Sequence, residues 1–166
     1  MPVRPSSYRT RLRAFQEMRG EPPDPGFISD LEFLENRDLD LSVRLGAMLA
    51  FNALLLTVGT HPVSASPGAP LSLDAATQPL MTALSLFALA PVAASSWFCL
   101  RALLIGEEFD GEGLEGDEAL RQRLFASFVR SIDGQSRLLR LAVRCTAAGG
   151  ALTLVVWAAI LVAKTF

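Results

Sequence analysis

The stretch Cys145-Thr-Ala-Ala-Gly-Gly-Ala-Leu-Thr-Leu-Val-Val-Trp-Ala-Ala-Ile-Leu-Val-Ala163 decides the fold, because its 19 residues carry no formal charge. At 1.5 Å per residue it is about as long as the hydrocarbon core of a bilayer is thick. Two further stretches have the same character: Leu80–Leu100, with 21 residues, and Leu45–Thr60, with 16. The chain of 166 residues is 51% hydrophobic and only 19% charged, against about a quarter charged in ordinary soluble domains. We therefore expect an all-α integral membrane protein with three transmembrane helices, over about 42–60, 80–105 and 141–163. A secreted disulfide scaffold, a nucleic-acid binder and a conventional soluble enzyme are disfavoured.

Outward from the spans, residues 1–41 read as cytosolic or interfacial helices around a proline elbow. Met1–Ser7 has no apolar core of the kind a signal peptide needs, so a signal peptide is not expected there. Ser6 or Ser7 caps a short helix bearing Tyr8, Leu12, Phe15 and Met18, which lies either on the membrane surface or against the rest of the protein. Pro22, Pro23 and Pro25 form the elbow. Phe27, Ile28, Leu31 and Leu34 then repeat at helical spacing, and the helix either stops near Asn36–Asp40 or runs straight into the first span. The connection from His61 to Pro79 reads as an irregular loop rich in proline. Residues 106–140 hold an acidic turn followed by an amphipathic helix with a stripe of Leu120, Leu124, Phe128 and Ile132. Unbroken from Asp117 to Ala163, that helix and the last span would have 47 residues and a length of roughly 70 Å.

Orientation follows from the basic residues. Seven lie up to Arg44, seven between Arg101 and Arg144, and none in the 61–79 loop. Loops rich in lysine and arginine stay cytoplasmic, so the N-terminus is expected inside, the C-terminus outside, and the location is the inner (cytoplasmic) membrane of a bacterium. Arg44, Trp97, Arg101, Arg140, Arg144 and Lys164 are the expected membrane-interface anchors. Cys99 and Cys145 should share a depth near the inner side, as packed thiols or, if subunits pool them, as metal ligands.

Within the spans, Asn52 is the polar residue of the first, and an interhelical hydrogen bond is the expected use of its amide. Pro91 should kink the second, with Ser95 or Ser96 satisfying the freed backbone. The third offers Ala147, Ala148, Gly149, Gly150 and Ala151, a smooth patch on which another helix backbone can approach closely; Ala90, Ala93 and Ala94 add small residues to the second. The expected helix-packing interface is Asn52, Ala147, Gly149, Gly150 and Ala151, used either inside the chain or between subunits. No phosphate loop, zinc-protease motif, paired-cysteine motif or calcium loop occurs, and no metal site or cofactor is identifiable. A lipid, pigment or quinone between helices would leave no signature in the residues.

The segment Ser42-Val43-Arg44-Leu45-Gly46-Ala47-Met48-Leu49-Ala50-Phe51-Asn52 resembles the start of the first span in the membrane effectors of pyrimidine-cyclase (Pycsar) anti-phage systems. There an acidic residue, one spacer and a lysine precede an apolar turn ending in Phe-Asn or a similar pair. Arg44 stands for the lysine, Asn52 matches, and Ser42 holds the acidic position with Asp40 nearby. The helix through Gln135-Ser136-Arg137-Leu138-Leu139-Arg140 into a last span is similar too. The likeness covers residues 36–163 in layout and about a dozen residues in motif. It implies a cyclic-nucleotide-triggered protein that damages the inner membrane.

Two functions are thus expected. One is a non-catalytic accessory or scaffolding subunit of a larger inner-membrane assembly, whose partners are the lipid bilayer and other membrane subunits or copies of itself. The alternative is a self-associating, membrane-perturbing effector.

Overall fold

The computed structural model describes residues 25–66, 68–105 and 117–165. The short helix expected around Tyr8–Met18, most of the proline elbow and the acidic turn at 106–116 lie outside them. The described residues form five helices: α1 Pro25–Gly59, α2 His61–Ser64, α3 Pro79–Phe87, α4 Ala90–Leu104 and α5 Asp117–Thr165. Three stretches, Glu32–Gly59, Pro79–Leu104 and Ala126–Thr165, are long and apolar enough to cross a membrane.

Prolines mark the helix starts. Pro25 opens α1, and Pro62, Pro79 and Pro91 stand in the first turn of α2, α3 and α4, where a missing amide costs nothing because first-turn amides have no partner within the helix. With no proline and only the isolated Gly46 between Gly26 and Gly59, α1 runs uninterrupted for 35 residues. The first span therefore has no separate beginning at residue 42, and the Phe27–Leu34 segment is its direct continuation. Gly134 likewise does not interrupt α5, which is 49 residues long. The amphipathic segment expected over 106–140 and the span expected over 141–163 are one rod from Asp117.

The second span departs from a kinked helix. Pro91 splits it into α3 and α4 with Ala88 and Leu89 between them. The Ala88 amide still donates to Leu84 O at 2.9 Å, the Leu89 amide donates to Leu86 O at 3.1 Å, and the Ala93 amide picks up Leu89 O at 3.1 Å. The connection from α2 to α3 has no regular secondary structure among its described residues and is held by specific hydrogen bonds. The Leu73 amide donates to Pro62 O at 2.8 Å, folding residues 68–73 back over α2 and burying Pro62, Ser72 and Leu73. Asp74 then makes a tight turn, accepting from the Ala76 amide at 3.0 Å and the Thr77 hydroxyl at 3.1 Å.

α4 packs along α5, and α1 lies against both. The tightest layer of the core is Leu45, Cys99, Ala102 and Ala142, flanked by Met48, Leu49, Phe98, Leu138 and Leu139. Small side chains from α4 and α5 let their backbones approach there, while leucine and methionine from α1 fill the remaining groove.

Candidate functional site: a hydrogen-bonded ring between three helices

One polar side chain from each long helix meets in the interior. Asn52 of α1 and Ser95 of α4 are fully buried and Thr146 of α5 nearly so. Asn52 Nδ2 donates to Ser95 Oγ at 2.9 Å, and Thr146 Oγ1 donates to Asn52 Oδ1 at 2.7 Å. The two hydroxyl oxygens lie 2.8 Å apart. A hydroxyl has one hydrogen, and the one on Thr146 is used on Asn52, so the hydrogen between the hydroxyls belongs to Ser95. The three groups then close a ring in which each donates once and accepts once.

The ring fixes the helices against one another. From Asn52 and Thr146 back to Leu45 and Ala142 the numbering falls, while from Ser95 to Cys99 it rises, so α1 and α5 run parallel and α4 opposes them. Arg44, Arg101 and Arg140 stand eight, six and six residues from the ring on their respective helices, roughly 9 to 12 Å away on the same side. Arg144 is only two residues from Thr146 and lies about 3 Å nearer that end than the ring. All four arginines are exposed, as is Trp97. Arg44 is the one of these with a carboxylate partner among the described residues, Asp40, one turn earlier at 3.0 Å.

The small-residue patch divides by helix face. Gly149 is buried at the crossing of α5 and α4: a Cβ there would stand 2.5 Å from Val92 Cγ2 and 3.1 Å from the Val92 backbone nitrogen. Gly150 is half-buried, with nothing within 4 Å of where its Cβ would be. Ala147, Ala148 and Ala151 are exposed. Within the chain, therefore, Gly149 alone of the five makes the close helix approach. A second close approach is at Gly59, where a side chain would collide with Leu89 in the α3–α4 break.

Ser95 and Ser96 take different roles. Ser96 Oγ donates to Val92 O at 3.2 Å, within the first turns after Pro91, whereas Ser95 is committed to the ring. Cys99 is buried in the core layer and Cys145 is partly buried; both are free thiols.

At the other end, Lys164 does more than mark a boundary. Its Nζ donates to Ala69 O at 2.9 Å and to Ser72 Oγ at 3.1 Å, so the last turn of α5 holds the folded 68–73 segment in place. Lys164→Met is expected to speed hydrogen exchange at the Ser72 and Leu73 amides about fivefold, the effect of losing about 1 kcal/mol of hydrogen bonding. Unchanged exchange would show that the segment holds itself.

Sequence reasoning placed Asn52 in a helix contact but missed Ser95 and Thr146 as its partners. The available signal was that all three lie on the same side of, and within eight residues of, an arginine that ends a charge-free run. The chain matches no protein-family model, no curated protein and no solved structure.

Proposed function

We propose that the protein is a multi-pass membrane protein that serves as a non-catalytic structural subunit of a larger membrane assembly. One observation carries the reading: the buried polar groups at the centre of the bundle are spent on one another in a closed ring, which locks three helices together. The chemistry of such a ring is cohesion. Each of the three groups donates and accepts one hydrogen bond within the ring, so its polarity is turned inward between the helices.

Two features support membrane insertion. Phe51, Leu54, Phe87, Trp97 and Leu154 are each at least half exposed, an outer surface that water would penalise and lipid would not. The interval from Arg144 to Lys164 is 20 residues, about 30 Å of helix, which matches a hydrocarbon core. The arginine-bearing end faces the cytoplasm in this reading, with the C-terminus outside. α5 has 49 residues, about 74 Å, so it projects well beyond the bilayer on the cytoplasmic side and, with the first turns of α1, gives a partner subunit something to grip.

Affinity purification from native membranes in a mild detergent is the test. The expected result is co-migration with a hetero-oligomer of several other membrane subunits. A homo-oligomer that depolarises cells when overproduced would replace this reading with the effector alternative, and a free monomer would overturn both. Orientation is checked separately in a background where both native cysteines are alanine. Ser66→Cys should react with an impermeant maleimide from the periplasm and Gly113→Cys should not; the reverse pattern inverts the topology.

A further inference from the structure

Two cavities meet at the Lys164 end. One, of about 590 Å³, is bordered by Ser72, Asp74, Gln78 and Lys164 together with Val63 and Gly68. The other, of about 300 Å³, is bordered mainly by Pro79, Leu80, Met81, Ile160 and Ala163. Leu73, Gln78 and Lys164 border both, so a polar chamber adjoins an apolar one across a shared partition. The polar chamber contains one cation and one anion. The ammonium of Lys164 has three hydrogens, of which Ala69 O and Ser72 Oγ take two. The Asp74 carboxylate receives one hydrogen bond on each oxygen and retains a lone pair on each.

We infer that this pair of cavities is a binding site for a zwitterionic phospholipid with a primary ammonium, a phosphoethanolamine headgroup. The third Lys164 hydrogen meets the phosphate, Asp74 accepts from the ammonium, and an acyl chain lies against Leu80, Met81 and Ile160. Charge complementarity selects this occupant. A headgroup bearing only the phosphate would leave Asp74 facing like charge, and one bearing a quaternary ammonium would offer it no hydrogen to accept. The site rests on the membrane reading above, and on the loop end lying at an interface.

The test is native mass spectrometry of the full-length protein after exchange into micelles holding equal amounts of phosphatidylethanolamine and phosphatidylglycerol with identical chains. The ethanolamine lipid should be retained about fivefold over the glycerol lipid, the size of effect that one partly exposed ion pair produces. Asp74→Asn keeps the carbonyl that holds the turn at Ala76 and removes the charge, and should abolish the preference. Lys164→Gln should reduce retention of both lipids. Equal or reversed preference in the wild type, no lipid at all, or an undiminished preference in Asp74→Asn would each overturn the site. Carbonate extraction of native membranes separates the two ideas. Protein left in the pellet without lipid selectivity defeats this inference alone, while protein in the supernatant defeats the membrane reading with it.

Discussion

Gly149→Leu is expected to disrupt the bundle outright, costing about 3 kcal/mol or more, in the upper range for overpacked cores. A Cβ at this position already falls 2.5 Å from Val92 Cγ2 and 3.1 Å from the Val92 nitrogen. A side chain can rotate away from a methyl group, but the backbone nitrogen of the first turn after the helix break can move only if α4 does. α4 carries Ser95 and Cys99, so displacing it opens the ring and loosens the core layer together. Gly150→Leu, one residue on, meets open space and should change stability by less than about 0.5 kcal/mol. Titration with sodium dodecyl sulfate in mixed micelles, read by helix content, measures both. Equal effects of the two leucines would mean that α4 and α5 do not cross at Gly149.

Asn52→Leu should lower stability by about 2 kcal/mol, the largest loss for a single polar side chain. Interhelical hydrogen bonds in membranes average about 0.6 kcal/mol and reach about 1.7. Asn52 makes two of them, to Ser95 and Thr146, and leucine must also occupy a space shaped by two hydroxyls. The hydroxyls can still bond each other across 2.8 Å, which keeps the loss from growing larger. Thr146→Val preserves shape and should cost about 1 kcal/mol, leaving Asn52 Oδ1 without its donor. The double variant should be less than additive, since both changes break the same ring. Strict additivity would show that the three groups do not act as a unit. The neighbouring surface pairs make a useful contrast. Arg44 with Asp40 and Arg137 with Asp133 are one-turn pairs on exposed faces, and removing either should be close to silent.

Much of the architecture is legible one residue at a time. Three runs without charge announce three apolar helices because a bilayer-length rod needs only composition and length, both of which are local. That prolines 62, 79 and 91 stand at helix starts was not legible in the sequence, where the first two fall in an expected irregular loop and the third at an expected kink. Where local reading stopped short was at continuity. The sequence left open whether the helix stops near Asn36–Asp40 or runs straight into the first span, and α1 runs on without a stop. At Pro91 the missing hydrogen bond could have produced a bend or a break. The folded chain has a break, with Leu89 buried against Gly59 of a different helix. The bonds that hold the 61–79 segment could not be read locally: they reach Pro62, eleven residues before Leu73, and Lys164, ninety-five residues from Ala69.

By itself, then, the sequence determined that the chain makes three apolar helices, where their charged ends fall and which few polar side chains they carry inside, since each of these depends on neighbours along the chain. Which of those side chains face one another is a matter of axial register and rotation about each helix. A shift of one residue turns a helix by about 100°, enough to exchange Gly149 for Gly150 at the crossing or to carry Thr146 away from Asn52. That choice was made by the packing of Gly149 on Val92 and of Leu45 against Ala102 and Ala142, contacts between segments about fifty to a hundred residues apart. Tertiary structure alone could therefore turn an isolated asparagine, a serine and a threonine into one closed ring.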